Sequence, residues 1–172
     1  MEKVVINDSS LKESEIDKKI TKARALLVLK NKILVSNYGG VILLPGGKLD
    51  AGETNKEALI RELKEETGII YDSSELNELF LLEYYQANYP TRENTIINRL
   101  MQTYFYYGNF KGIDEENRKI TEKEKNGNFS LKLIEIEELL NNLSNLIGNP
   151  RSDFFNKELT EAIKVYRRIK QR

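Results

Sequence analysis

The chain has 172 residues, long enough for one well-buried core and short for two, and its 27 basic and 27 acidic side chains cancel, so nothing in the overall balance draws it toward nucleic acid or anionic lipid. It contains no cysteine and no histidine, which excludes disulfides, thiol nucleophiles, imidazole bases and ordinary zinc sites. Chemistry must therefore run on oxygen and nitrogen groups, and a metal held by these side chains should be a hard cation, Mg2+ or Mn2+.

Residues 1–20 are polar with scattered apolar positions and are expected to form an arm or a short helix. The first strand is predicted over Ala23 to Leu29, and in ALLVLKNKILVSN two apolar runs flank Lys30-Asn31-Lys32, the pattern of a β-hairpin. Val41 to Leu44 reads as a further extended segment, ended by Pro45-Gly46-Gly47. Thr54 and Glu57 have the spacing of a capping box, and Gly68 stands where a left-handed helix end favours glycine, so a helix is predicted from about Asn55 to Thr67. Leu79 to Tyr85 and Ile97 to Phe110, rich in aromatic and β-branched residues, are predicted strands separated by a polar loop containing Tyr89-Pro90-Thr91-Arg92. The charged run Gly112 to Asn128 reads as a loop, Phe129 to Ile136 as a strand and Glu137 to Leu146 as a helix. Beyond Gly148-Asn149-Pro150 a last helix is predicted over Ser152 to Lys170, with Phe155, Leu159, Ile163 and Tyr166 on the face that should cover a sheet.

Strands and helices interleave without a regular βαβ rhythm, which points to a single α/β domain built as a sandwich around a mixed β-sheet. No apolar run approaches the roughly 20 residues of a bilayer span, and MEKVVINDSS lacks the apolar core of a secretion signal, so the cytoplasm is the expected location.

The helix predicted over 55–67 carries Glu62, Glu65 and Glu66 within an arc about 100° wide, beside an apolar stripe of Leu59, Ile60 and Leu63. Like charges at these spacings destabilise a helix by about 0.2–0.5 kcal/mol per pair, and Lys56 and Lys64 lie away from them. A divalent cation would relieve the repulsion. The plainer alternative is a solvated helix on which Glu57, Arg61 and Glu65 form successive i, i+4 pairs.

Around these acids, Gly47, Glu53, Arg61, Glu62, Leu63, Glu65, Glu66, Gly68 and Ile69 occupy every fixed position of G-x5-E-x7-R-E-U-x-E-E-x-G-U, where U is bulky and aliphatic. The segment resembles the Nudix box, and the flanking strands and helices resemble that family's α/β/α sandwich. The resemblance implies that Glu62, Glu65 and Glu66 bind Mg2+ with help from the Gly46 carbonyl. It implies that Glu53 and Arg61 pair to hold the loop and helix together, and that Gly47 supports the turn; a simple tight turn is the alternative for both glycines. It further implies hydrolysis of a nucleoside diphosphate linked to another group, with the base either a box glutamate or a later acid, for which Glu122 and Glu124 are the candidates.

Arg24, Arg92 and Arg99 are candidate phosphate contacts, because guanidinium forks match phosphate oxygens. Tyr84, Tyr85, Tyr89, Tyr104 and Tyr106 are candidate base-stacking residues or core aromatics. Tyr85 lies 16 residues beyond Ile69, a spacing that resembles the dinucleoside polyphosphate hydrolase subgroup, whereas Pro90 comes too late to resemble the ADP-ribose subgroup. The expected partner is a small nucleotide or related diphosphate, with a homodimer allowed by the family and neither membrane nor nucleic acid expected. Two alternatives have different signatures. A nucleotide-binding regulator on the same fold should have lost a box acid, and none is missing. An RNA-end pyrophosphohydrolase needs a basic surface, for which Lys164, Arg167, Arg168, Lys170 and Arg172 are the only support, and cations at a helix C-terminus are explained by its dipole.

Overall fold

A computed structural model describes residues 1–91, 93–145 and 150–171. In chain order the strands are β1 (Glu2–Ile6), β2 (Lys18–Leu29), β3 (Lys32–Tyr38), β4 (Val41–Leu43), β5 (Gly46–Lys48), β6 (Asn77–Pro90), β7 (Ile96–Asn109) and β8 (Ser130–Glu135). The helices are α1 (Asn55–Thr67), α2 (Glu122–Asn126), α3 (Ile136–Asn145) and α4 (Pro150–Lys170). The sheet runs β1-β6-β7-β2-β3-β4, with β5 on β2 and β8 on β3.

Residues 1–20 hold an edge strand and, of the expected helix, only a single 3-10 turn at Glu13–Glu15. Glu2–Ile6 is an edge strand parallel to β6, in register from Glu2 opposite Phe80 to Ile6 opposite Tyr84. Val4, Val5 and Ile6 supply β-branched character, but the partner is far along the chain, so no local turn marks the pairing. The strand placed at Ala23 begins at Lys18, because Lys18 to Val28 pair in parallel with Arg99 to Asn109 of β7. The hairpin at Lys30-Asn31 forms as expected, with Leu29 opposite Lys32 and Lys30 at φ 57°. The Tyr89-Pro90 stretch is not loop but the end of β6, whose ladder continues to Pro90 opposite Ile96; proline is tolerated at such a terminus. The charged run 112–128 contains α2, begun by a Thr121–Glu124 capping box.

β2 explains where the site forms. One edge is paired with β7 along eleven residues, while the other is shared between β5, at Lys22 to Arg24, and β3, at Val28 and Leu29. The sheet therefore forks beside Arg24, and the Leu44-Pro45-Gly46 segment fills the fork, with the Ala25 N–H donating to the Pro45 carbonyl at 2.9 Å.

The two faces of the sheet bury separate cores. Ala23, Ala25, Leu27, Leu34 and Tyr106 pack on Leu59 and Leu63 of α1. Leu26, Ile33, Val35, Phe80, Leu82 and Phe105 pack under Leu139 and Leu143 of α3 and Leu159, Ala162, Ile163 and Val165 of α4. At about 1.5–3 kcal/mol per fully buried large aliphatic side chain, the Leu59 and Leu63 pair alone anchors α1 to the sheet. Leu79 and Phe80 enter the same core although adjacent, because a β-bulge between Glu78 and Phe80 reverses the alternation. The result is the expected α/β/α sandwich around a mixed sheet. No helix among the described residues is long and apolar enough to cross a membrane.

Candidate active site

α1 starts and stops where local chemistry dictates. The Glu57 N–H donates to Thr54 Oγ1 at 3.3 Å, the Thr54 N–H donates back to Glu57 Oε2 at 2.8 Å, and Gly68 ends the helix at φ 75° with its N–H on the Lys64 carbonyl. The last carbonyls of the helix, which have no partner within it, are taken by the chain that follows β7. The Asp114 and Lys119 amides donate to the Thr67 and Glu65 carbonyls at 2.7 and 2.9 Å, and Arg118 Nε donates to the Glu66 carbonyl at 2.6 Å. These contacts bring α2 up beside the acidic face of α1.

A pocket of about 230 Å³ opens there, lined by Glu62 and Glu66 of α1, Gly46 and Gly47 of β5, and Glu124 of α2. Glu66 is buried, and its Oε2 accepts the Gly46 N–H at 3.1 Å. Burial pushes its carboxyl up to about 8, opposed by the charge of Arg24 and the Gly46 hydrogen bond and reinforced by the charges of Glu62 and Glu124. Burial likewise raises Glu62, against the pull of Arg61 and with the push of Glu65 and Glu124. Glu65 is not part of the pocket lining, and its Oε2 lies 3.6 Å from Arg61 Nη1. Among the described residues, no group of three acidic side chains is already gathered into a metal cage.

Arg61 is the hub of the surrounding scaffold. Its Nε and Nη2 donate to Glu53 Oε1 and Oε2 at 2.7 and 2.9 Å, Nη2 also reaches the Lys48 carbonyl at 3.1 Å, and Nη1 donates to Glu62 Oε1 at 3.0 Å. The guanidinium holds the Glu53 carboxyl down to about 2. The repulsion along α1 is thus relieved in part by Arg61, which meets both Glu62 and Glu65, so the plainer i, i+4 reading is realised for that one pair.

Glu124 lines the pocket while its Oε2 caps Thr121, accepting from the Thr121 N–H and Oγ1 at 2.7 Å each. Glu122 points outward to Lys125 at 2.7 Å. Of the two later acids, only Glu124 joins the site.

Arg24 is not free to meet a ligand. It is 5% exposed, its Nη1 donates to the Leu44 carbonyl and lies 3.5 Å from the Gly46 carbonyl, and its Nε is 3.6 Å from Glu158 Oε2 of α4. It braces the fork behind Glu66, because a β2 side chain pointing toward α4 is enclosed by that helix. Arg92 lies outside the described residues. Arg99 and Tyr85 line a second cleft, of about 770 Å³, between the ends of β2, β6 and β7 and the start of α4. Tyr84 and Tyr89 join them there, whereas Tyr104 and Tyr106 pack in or against the α1-side core. Of the C-terminal cations, Arg167 pairs with Glu137, Arg168 with Glu2 and Lys164 with Glu161, Lys170 lies over the Tyr107 and Tyr166 rings, and Arg172 lies outside the described residues.

Two buried residues beside the site escape sequence reasoning. Glu158 accepts from Thr103 Oγ1 at 2.7 Å and faces Arg24. Its signal is an acid on the row Phe154, Glu158, Ala162, spaced by four and otherwise apolar. Lys22 is 8% exposed; its signal is the two-residue alternation that puts Lys22 and Arg24 on the same side of β2 as the core residue Leu26.

A family model described as NUDIX domain matches residues 19–152. A stretch of 77 residues is 39% identical to the 8-oxo-dGTP diphosphatase of Haemophilus influenzae, covering 40% of this chain and 57% of that protein. A stretch of 55 residues is 44% identical to the ADP-ribose pyrophosphatase of Methanocaldococcus jannaschii, covering 32% of this chain and 31% of that protein. The matches thus span little more than half, or less, of these curated relatives. Among solved structures, a NUDIX hydrolase from Nitrosomonas europaea superposes with a TM-score of 0.58 at 18% identity, over 87% of this chain and 89% of that one. The MutT protein of Methanosarcina mazei superposes with a TM-score of 0.55 at 18% identity, over 85% of this chain and 96% of that one. At such identity the superpositions establish the fold.

Proposed function

The chain belongs to the Nudix family, and from that premise we propose that it hydrolyses a diphosphate bond in a nucleoside diphosphate linked to a further group, with Mg2+ or Mn2+ as cofactor. The observation that carries the reading is the grouping of Glu62, Glu66 and Glu124 around one pocket, where burial and mutual repulsion raise the proton affinity of the two α1 acids. In this lining three acids face one cation, Lys123, and oxygen donors of this kind suit a hard divalent cation. Glu62, Glu66 and the Gly46 carbonyl, which border the pocket, would hold it, and Glu65 would join them by turning from Arg61 toward the ion. Bound there, the cation would neutralise the diphosphate and acidify water.

The chain's own groups perform the remaining work. The Glu53–Arg61 pair, with Arg61 on the Lys48 carbonyl, fixes the loop before α1 and so the distance between Gly46-Gly47 and the acids. Water adds its oxygen to phosphorus, the bridging oxygen departs with its electron pair on the other phosphate, and an ionised carboxylate takes the proton of the water. Glu124, across the pocket from α1, and the box acids Glu62 and Glu66 are the carboxylates within this lining.

The named activities of the relatives, on 8-oxo-dGTP and on ADP-ribose, differ in substrate and agree in cleaving a phosphoric anhydride. The test is a panel of nucleoside triphosphates, nucleotide sugars, ADP-ribose and dinucleoside polyphosphates with Mg2+, comparing the native protein with Glu66→Gln. The expected result is turnover abolished by chelation and reduced at least about 100-fold by the substitution. Turnover that survives either one refutes the assignment, and inactivity across the panel favours a nucleotide-binding role.

A further inference from the structure

On the far side of β5 from the acidic pocket, the second cleft has the opposite character. Its lining includes three cations, Lys22, Lys48 and Arg99, and a single acid, Asp8, whose Oδ2 is held by Lys157 at 3.2 Å. None of the three has a carboxylate partner among the described residues. Arg99 donates to the neutral Gln86 at 2.6 Å and lies over the Tyr89 ring at 3.1 Å. Lys22 is more deeply enclosed, its Nζ 5.7 and 5.3 Å from the centres of the Phe154 and Phe155 rings. It is more than nine-tenths buried, and its ammonium makes neither a hydrogen bond nor an ion pair among the described residues.

Most of the Lys22 side chain is buried while its ammonium borders the cleft, and two aromatic faces compensate only part of the hydration it loses there. Burial and the neighbouring Arg24 charge accordingly pull Lys22 down to about 7, and Glu158, the acid that opposes this, is engaged with Thr103 and Arg24. Register places the cations together: Lys22 stands opposite Lys48 across β2 and β5, and cross-strand partners share a face. Along β5, Gly46 and Gly47 border the acidic pocket and Lys48 borders the cleft, a span of about 7 Å of extended chain.

We propose that this cleft receives an anionic part of the substrate remote from the reacting bond, and that Lys22, assisted by Arg99 and Lys48, selects diphosphates carrying at least one additional phosphate. The inference rests on the hydrolytic reading above and adds the substrate class to it. A bound phosphate gives the Lys22 ammonium the partner that the protein withholds, so its binding energy is gained only by ligands with charge at that position. The Phe154 and Phe155 rings give the surroundings of the Lys22 ammonium an apolar wall, which strengthens the attraction.

The experiment uses the full chain in excess chelator, where a bound cation makes no contribution, with inorganic tripolyphosphate as the calorimetric probe. The native protein and Glu66→Gln should bind it alike; Lys22→Met should bind at least tenfold more weakly; Lys22→Arg should stay within about threefold of native, with folding of each checked by thermal unfolding. With Mg2+ restored, the ratio of kcat/KM for a dinucleoside polyphosphate to that for ADP-ribose should fall at least tenfold in Lys22→Met, through KM rather than kcat. Absence of tripolyphosphate binding, full binding by folded Lys22→Met, or an unchanged substrate ratio overturns the proposal while leaving the Glu66 test standing. Lys22-dependent binding with no turnover on any substrate would instead retain the anion receptor and refute the hydrolytic reading.

Discussion

The Glu62 carboxylate lies so close to Gly47 that a β-carbon there would stand 2.2 Å from Oε1. Gly46, one residue earlier, meets backbone instead, with an added β-carbon 2.2 Å from the Ala23 carbonyl oxygen and φ at 124°. The two adjacent glycines therefore answer to different constraints.

Alanine substitution separates them. In Gly47→Ala the obstacle is the end of a flexible side chain, so the fold should survive with about 1 kcal/mol lost or less, while the displaced Glu62 lowers kcat about 100-fold. In Gly46→Ala neither the Ala23 backbone nor a positive φ can yield, and stability should fall by about 2 kcal/mol or more. Denaturant unfolding beside steady-state kinetics reads both; equal stability losses would contradict the distinction.

Arg61 links Glu53, Glu62 and the Lys48 carbonyl, and lysine cannot reproduce its planar fork. Arg61→Lys should weaken Mg2+ activation about tenfold or more, visible as a rightward shift of the metal titration. For Glu53 the sign is that of a depressed acid: its contribution to stability is present above about 4.5, the unfolded value, and is lost as pH falls toward about 2. Glu53→Gln should flatten that acid limb of the unfolding curve.

In chelator, Glu66 acts in the opposite sense. Folded Glu66 keeps its proton to about 8 while the unfolded chain releases it near 4.5, so stability falls as pH rises through that window. Glu66→Gln should remove that component of the slope, an effect on the order of a few kcal/mol by the alkaline end of the window. Lys22, lowered to about 7, contributes a rise between about 7 and 10.5, so the comparison of native and substituted protein is the informative quantity. Adding Mg2+ at about 100 times its dissociation constant should stabilise the native protein by about 2.7 kcal/mol and Glu66→Gln by distinctly less.

Glu158 faces Arg24 with both buried, and removing one member of such a pair leaves the other uncompensated. Glu158→Gln should cost about 2 kcal/mol or more in thermal unfolding, and Glu158→Ala at least as much. A change within error would show that Thr103 and the Leu44 carbonyl suffice to hold the fork.

Much of the site is legible in the sequence because it is local. The capping box, the glycine stop and the spacing of Glu62, Glu65 and Glu66 all lie within one helix, where hydrogen bonds run between residues a few positions apart. The sandwich was equally readable in outline, from alternating apolar strands and an amphipathic last helix. What sequence reasoning misses depends on distant contacts. β1 takes its identity from β6, α2 enters the pocket because Asp114, Arg118 and Lys119 grip the end of α1, and Arg24 turns from an expected ligand contact into an internal brace because α4 closes over it. Glu65 likewise turns to Arg61 rather than into the pocket, a choice that helical spacing alone does not decide.

The grip of residues 114–119 on the last turn of α1 also works as a ruler. Between Lys119, fastened to the Glu65 carbonyl, and Thr121, which begins α2, there is one residue of slack. A single inserted residue at that point would shift Glu124 out of register with the acids opposite. The connection between β6 and β7, where among the described residues Thr91 and Thr95 bond only to each other and to their near neighbours, fixes nothing in the pocket and should accept insertions more readily. Natural length variation in this architecture is thus expected to collect at that connection and to avoid the short tether that measures out the pocket.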